Sequence, residues 1–166
     1  QVLTLSAPAI EFVAGPELSP EMARIANDGM AAICKAHPDR FPCFIASMPM
    51  NNPDATVAEI DRAINELDAR GIQIFSNVNG KPLDLPEFEP IFEKMAGHDL
   101  PIWLHPVRSS ADSDYAAEKL SRFETWTSVG WPHATSVAMI RMVYTGLFDR
   151  SPGIKIITHH LGGNIP

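Results

Sequence analysis

At 166 residues, 45% of them hydrophobic and 20% charged, the chain has the size and balance of one soluble domain, read here as a single domain over residues 1–166. A formal net charge of -7, with 13 Lys and Arg scattered and no basic stripe, excludes nucleic acid as a partner because an acidic surface repels phosphate backbones. No apolar run reaches the roughly 20 residues that span a bilayer, and Cys34 and Cys43 form neither a Cys-x-x-Cys pair nor a disulfide framework, so the expected compartment is a reducing cytoplasm.

The start, Gln1 to Ser6, lacks an initiator Met and the basic flank of a signal peptide, and Val2 to Ser6 reads as a strand entered mid-protein. After a Pro-rich loop, Ser19 is expected to cap a helix with Pro20 at its first position and Glu21 in its first turn, running to about His37. Phe44 to Met48 is a second strand. Asn52-Pro53-Asp54 opens a helix whose Val57, Ile60, Ile64 and Leu67 follow the 3.6-residue period, with Gly71 ending it. Ile72 to Ser76 is the third strand, and Asn77-Val78-Asn79-Gly80 is a strong turn signal directly after it.

The next helix presents Phe88, Ile91, Phe92 and Met95 on one face and tolerates Pro90 if it begins near Glu87; Gly97 is expected to close it. Ile102 to Leu104 forms the fourth strand, inside the run Pro101-Ile102-Trp103-Leu104-His105-Pro106. A long insertion carrying Trp126 and Trp131 leads to a helix over about Pro132 to Phe148, whose apolar character predicts burial on more than one side. Ile154 to Thr158 is the fifth strand and runs into His159-His160-Leu161-Gly162-Gly163.

Strands alternating with helices predict a parallel α/β fold, either a barrel or an open doubly wound sheet. No Gly-x-Gly-x-x-Gly or Walker-type loop follows any strand, which favours the barrel. A complete eight-stranded barrel takes about 250 residues, so the fold class expected is α/β, a partial (β/α)8 TIM barrel with about five of its strands. The chain is therefore expected to be an internal segment of a larger enzyme. Both histidine-bearing strand ends then fall on the carboxyl rim, where such barrels keep their chemistry.

Asn27-Asp28, His37-Pro38-Asp39-Arg40-Phe41, Ser76-Asn77-Val78-Asn79-Gly80, Trp103-Leu104-His105-Pro106, Thr145-Gly146-Leu147-Phe148-Asp149-Arg150 and His160-Leu161-Gly162-Gly163 stand in this order. Together they resemble the amidohydrolase superfamily branch that contains aminocarboxymuconate-semialdehyde decarboxylase and the resorcylate and carboxyvanillate decarboxylases. The resemblance implies a distorted barrel, of which these are strands two to six, holding one divalent metal ion, zinc first and manganese as the alternative. It makes His105 the metal ligand after strand five and His160 the catalytic histidine after strand six, either holding a metal-bound group or binding the ion itself. It also implies a homodimer. The strand-one pair, His-x-His or Glu-x-His, and the acidic ligand after strand eight have no counterpart in these residues, so the 166-residue chain taken alone is expected to bind metal weakly and to be inactive.

Strand alternation offers a separate argument: His160 shares a parity with Ile156 and His159 with Lys155. Keeping the Lys155 charge out of a packed barrel sends His160 inward and leaves His159 to a structural role. His37 and His98 suit helix carboxyl ends, and His133 is a weaker pocket residue. Arg108 is a candidate grip for a substrate carboxylate, with exposed loop arginine as the plainer reading. Trp126 and Trp131 either floor a pocket for a flat acid or simply pack. Ser76, Asn77 and Asn79 either orient substrate or make the turn, with Asn77 kept as a substrate-binding candidate. The function expected is metal-dependent, non-oxidative decarboxylation of an aromatic or unsaturated carboxylic acid. The alternatives are a hydrolase or hydratase with His160 as base, and a non-catalytic barrel segment.

Overall fold

The computed structural model describes residues 1–5 and 7–165. The first strand, β1 (Val2–Leu3), is shorter than the expected Val2 to Ser6, and Ser6 lies outside the described residues. Beyond it the chain is held by Gln73 instead of by a ladder: Thr4 Oγ1 donates to Gln73 Oε1 at 2.7 Å, and Gln73 Nε2 donates to the Leu5 carbonyl at 2.7 Å. A short helix, α1 (Ile10–Val13), precedes α2 (Ser19–Ala36). Ser19 does not cap α2, contrary to the sequence expectation; Leu18 holds that position, and the buried Ser19 hydroxyl donates to Asn51 Oδ1 at 2.6 Å.

Strands β2 (Cys43–Phe44) and β3 (Ala46–Ser47) are one extended run broken only at Ile45, whose N–H donates to the Leu3 carbonyl. Helix α3 (Pro53–Asn65) is capped by Asn52, which accepts from the Ala55 N–H at 3.2 Å. It ends at Asn65, before Gly71. Gly71 serves a different purpose: at φ +147 it brings the backbone so close to Pro101 that a Cβ would overlap the Pro101 carbonyl oxygen.

The chain continues through β4 (Ile72–Phe75) into a hairpin of β5 (Asn77–Val78) and β6 (Lys81–Pro82). Asn79 and Gly80 at its tip both have positive φ, which is why that turn needs Asn-Gly. One 3-10 turn at Pro86–Phe88 leads into α4 (Glu89–His98). Gly97 lies inside this helix instead of closing it, and Asp99, at φ 56, makes the left-handed cap. Then follow β7 (Pro101–His105), α5 (Thr125–Ser128), α6 (Gly130–Tyr144), α7 (Leu147–Arg150) and β8 (Lys155–Thr158). The helix expected over Pro132 to Phe148 is split, because Gly146 takes φ 73. Helix α6 buries Ala138 and Met142 but exposes Val137, Ile140, Val143 and Tyr144, so among the described residues it packs on one side only, not on several.

Strands β3, β4, β7 and β8 form a parallel sheet in chain order, and the β1–β2 pair continues it beyond β3. Sequential order without reversal is the winding of a barrel; a doubly wound sheet would reverse at a switch point. One sheet face, carrying Ile72, Ile74, Ile102 and Leu104, packs with Ile60, Ile91, Phe92, Met95 and Met142 of the helices. The opposite face carries Gln73, Phe75, Trp103, His105 and Ile157, and its ladder places Phe75 beside His105 and Trp103 beside Ile157.

A buried latch fixes α2 and α3 against the sheet. Asn27, fully buried, donates to the Ser47 carbonyl at 3.0 Å and to Glu59 Oε1 at 2.7 Å, and accepts from the Ser47 N–H at 2.8 Å. Arg62 holds Glu59 by two parallel bonds of 2.8 Å and reaches Asp28 Oδ1 at 2.7 Å. These contacts explain Asn27-Asp28 in the sequence without any catalytic role.

Glu11 in α1 is a buried carboxyl whose Oε1 has no hydrogen-bond partner, and desolvation pushes its pKa from 4.5 to about 7 against an opposing bond from its own backbone. A raised carboxyl pKa means that the unfolded chain ionises first, so this residue's contribution to stability declines as pH rises from about 4.5 and levels off above about 7. The decline is expected to be about 3 kcal/mol between pH 4 and pH 8. Glu11→Gln should remove it, seen as a flatter pH profile of the urea midpoint; a slope parallel to that of the unsubstituted protein would show that Glu11 does not carry it.

Candidate metal centre and active site

His105 is the last residue of β7, so the parallel ladder delivers it to the carboxyl rim. Its Nδ1 lies 2.6 Å from the Pro106 carbonyl, which must be accepting from an Nδ1–H; Nε2 is thereby left with its lone pair. A ring nitrogen pinned to a carbonyl while its opposite nitrogen points outward is how proteins orient a metal-binding imidazole. Ser76 steadies the same corner: its N–H donates to the His105 carbonyl at 2.9 Å, and its Oγ accepts from the Val107 N–H at 3.0 Å. The ring packs edge-on against Phe75 and Trp131, at centroid distances of 5.5 and 5.4 Å.

His160 reaches this ring from the single turn after β8, with its Nε2 3.3 Å from His105 Nε2. It arrives by a route that strand alternation does not describe. Lys155 pairs with Pro101 and Ile157 with Trp103, so Lys155 lies on the same face as Trp103 and Ile157, while Ile156 packs toward the helices. The parity argument therefore assigned the faces the wrong way round. Lys155 escapes burial by standing at the strand's beginning, where its Nζ meets Asp99 Oδ1 at 2.6 Å. His160 is turned into the site because its φ is 51, at the head of a left-handed run through Leu161, Gly162 and Gly163. That run needs its last glycine: a Cβ on Gly163 would sit 2.6 Å from the Pro132 carbonyl oxygen, and the next N–H, of Asn164, donates to Ser136 Oγ at 2.8 Å.

His159, expected to be structural, lies in the same cluster. Its N–H donates to the Leu104 carbonyl, which extends the β7–β8 ladder by one step and sends its side chain to the face of Trp103 and Ile157. Its ring is 4.9 Å from that of His105 and 5.7 Å from that of Trp103. Ligand nitrogens of His105, His159 and His160 lie within 4.8 Å of one another. Burial holds His105 below the usual histidine range, the Pro106 carbonyl opposing and the His160 charge adding to it. Burial first, then the charges of His105 and His160, push His159 down to about 4. Neutral imidazole is the form that accepts a metal ion.

Of the other sequence candidates, Trp131 joins the cluster: its ring lies 4.9 Å from that of His160, and its Nε1–H donates to the Arg108 carbonyl at 3.2 Å. Trp126 stands one layer out, 5.7 Å from Trp131. Arg108 folds into the insertion, with Nη2 donating to the Ser113 carbonyl at 3.2 Å and a buried Nε that has no partner. It borders a cavity of about 640 Å³ together with Arg122, Thr125, Gly130, His133 and Asn164. The Arg108 side chain lies against Gly130, where a Cβ would come within 2.7 Å of Arg108 Cδ and oblige that side chain to move. Asn77 stays in the hairpin, where its Oδ1 accepts from the Gly80 N–H at 2.8 Å, which is the turn-making role. Ser136 gave no sequence signal, since its work depends on which backbone approaches it.

The chain matches the family model described as Amidohydrolase over residues 3–166. It is 34% identical to the gamma-resorcylate decarboxylase of Rhodococcus jostii (strain RHA1), an alignment covering 99% of this chain and 52% of that protein. It is 32% identical to the 2-amino-3-carboxymuconate-6-semialdehyde decarboxylase of Dictyostelium discoideum, over 100% of this chain and 45% of the relative. The crystal structure of dihydroxybenzoic acid decarboxylase from Polaromonas sp. JS666, with bound manganese and the inhibitor 2-nitroresorcinol, superposes with a TM-score of 0.83 at 28% identity, covering 98% of this chain and 50% of that one. The chain spans about half the length of the curated relatives it matches.

Proposed function

We propose that this chain, which belongs to the amidohydrolase family, supplies part of the active site of a metal-dependent, non-oxidative decarboxylase acting on an aromatic or unsaturated carboxylic acid. The observation that carries the reading is the 3.3 Å approach of two imidazole Nε2 atoms at the rim of a parallel sheet, in a chain similar to decarboxylases throughout its length.

The donor set fits a divalent ion: His105 presents a ring nitrogen oriented from behind by the Pro106 carbonyl, and burial disfavours the charged form of both His105 and His159. His105 would hold the ion. Manganese in the Polaromonas relative supports a divalent metal, and imidazole ligands suit zinc, our first choice. When bound, the ion supplies electrostatic stabilisation of charge on the substrate's oxygens.

The remaining work belongs to the side chains. His160 Nε2 stands 3.3 Å from the nitrogen that would hold the ion, and His160 is exposed, so its ring can exchange a proton with solvent. It is placed to deliver a proton to the ring carbon as carbon dioxide departs, a contribution of about 10² to 10⁴ in rate. Trp131, with Trp126 behind it, offers flat apolar surface to an aromatic acid, and Arg108 offers a guanidinium to a carboxylate. We take the working assembly to be a homodimer, as the resemblance to this branch implies, and the compartment to be the cytoplasm, consistent with two free cysteines. No helix among the described residues is long and apolar enough to cross a membrane.

Turnover of a hydroxylated benzoate in deuterated, ¹⁸O-labelled water is the test. Release of carbon dioxide with one solvent deuterium on the ring is the expected product. Solvent oxygen in the organic product, without carbon dioxide, would overturn the reading in favour of hydrolysis or hydration.

A further inference from the structure

The proposed function assigns His105 to the ion and His160 to the proton, and leaves His159 unused. Yet the Nε2 of His159 is shut off from solvent and has no hydrogen-bond partner. An unpaired buried polar atom costs free energy, and native structures seldom keep one without a use. The contact with Trp103 does not supply that use, since an edge-on ring at 5.7 Å engages the imidazole by packing and leaves the nitrogen unbonded.

The backbone explains how adjacent histidines can serve one site. His159 is still in the ladder, through its N–H to the Leu104 carbonyl, and alternation aims it at the face of Trp103. His160 follows at φ 51 and is swung back to the same place by the left-handed turn. Two neighbours that a regular strand would send to opposite faces thus converge on His105.

We propose that His159 is a second protein ligand for the divalent ion, beside His105. This rests on the reading that the ion is held at His105. Two nitrogens at about 2.0–2.1 Å from a tetrahedral zinc are separated by about 3.3 Å, and ligand nitrogens of the three rings already lie within 4.8 Å of one another. The roles then follow exposure: the enclosed rings of His105 and His159 bind the ion, and the exposed His160 exchanges protons.

The test is cobalt(II) titration of the metal-stripped intact enzyme to which this chain contributes, followed by d–d absorption and calorimetry, with the unsubstituted protein, His159→Phe, His159→Gln and His105→Ala in parallel. Phenylalanine keeps the ring that packs on Trp103 and removes the nitrogen, so thermal stability close to that of the parent will show that the fold survives. Loss of a ligand should exceed the roughly 10- to 100-fold weakening caused by losing an outer partner. The expected result is therefore a rise in Kd of about 100-fold or more in both His159 variants, with altered d–d bands. An unchanged Kd and spectrum at position 159, with His105→Ala weakened, would overturn this assignment alone. An unchanged Kd in His105→Ala, or no cobalt binding by the parent, would overturn the reading of His105 as well.

Discussion

Under the proposed function, replacement of His105 by alanine in the intact enzyme is expected to cost the site its divalent ion and to lower kcat/KM by well over the roughly 10- to 100-fold that an outer partner of a ligand is worth. No neighbour can substitute for it. His105 alone has its Nδ1 fixed by a backbone carbonyl, and both Phe75 and Trp131 hold its ring in place, so the nitrogen that it presents is pre-set. Elemental analysis of the purified variant beside steady-state kinetics checks the expectation. Full metal content with near-normal turnover would place the ion elsewhere. His160→Gln gives the informative contrast: the ion should stay while kcat falls by about 10² to 10⁴, since what is removed is the proton and not the ligand.

Asn27→Leu is expected to destabilise the fold by about 3 to 5 kcal/mol, with little direct effect on the histidine cluster. The leucine fills the space of the asparagine but leaves the Ser47 N–H and the Ser47 carbonyl without this partner and takes away one of the two donors to Oε1 of the buried Glu59. Arg62 still pairs with Glu59, which limits the loss. Asn27→Asp should be no better. It preserves an acceptor for the Ser47 N–H but places a second carboxylate where the amide now sits, 2.7 Å from Glu59 Oε1. Urea unfolding measures both variants, and a change under about 1 kcal/mol would mean that the latch contributes little beyond packing.

Much of the scaffold was readable from local pattern because its causes are local. The helical period of Val57, Ile60 and Ile64 marked α3, and Asn-Gly marked the hairpin. The missing phosphate-binding loop argued against an open nucleotide fold, and the chain-order sheet agrees. Errors gathered at helix ends and on α6. Ser19 had the residue type of a cap but was drawn away by Asn51, and Gly71 looked like a helix terminator while serving the contact with Pro101. Both depend on partners far along the chain.

The histidines divide the same way. That His105 and His160 stand at or just beyond the ends of neighbouring strands was legible. The face of β8 was not legible, because the argument from Lys155 assumed an interior position for a residue that in fact sits at the strand's open end and pairs with Asp99.

The amino-acid sequence by itself determined the alternation of strands and helices, their parallel winding and the carboxyl-rim placement of two imidazoles, since these follow from residue periodicity and backbone preference within short spans. Only the tertiary structure decided that His159 joins them, that Trp131 packs on both His105 and His160, and that Gly163 must lack a side chain. The physical reason is that positive φ at His160 and the close approach of α6 are set by packing between segments remote in sequence, and neither leaves a mark in the local pattern.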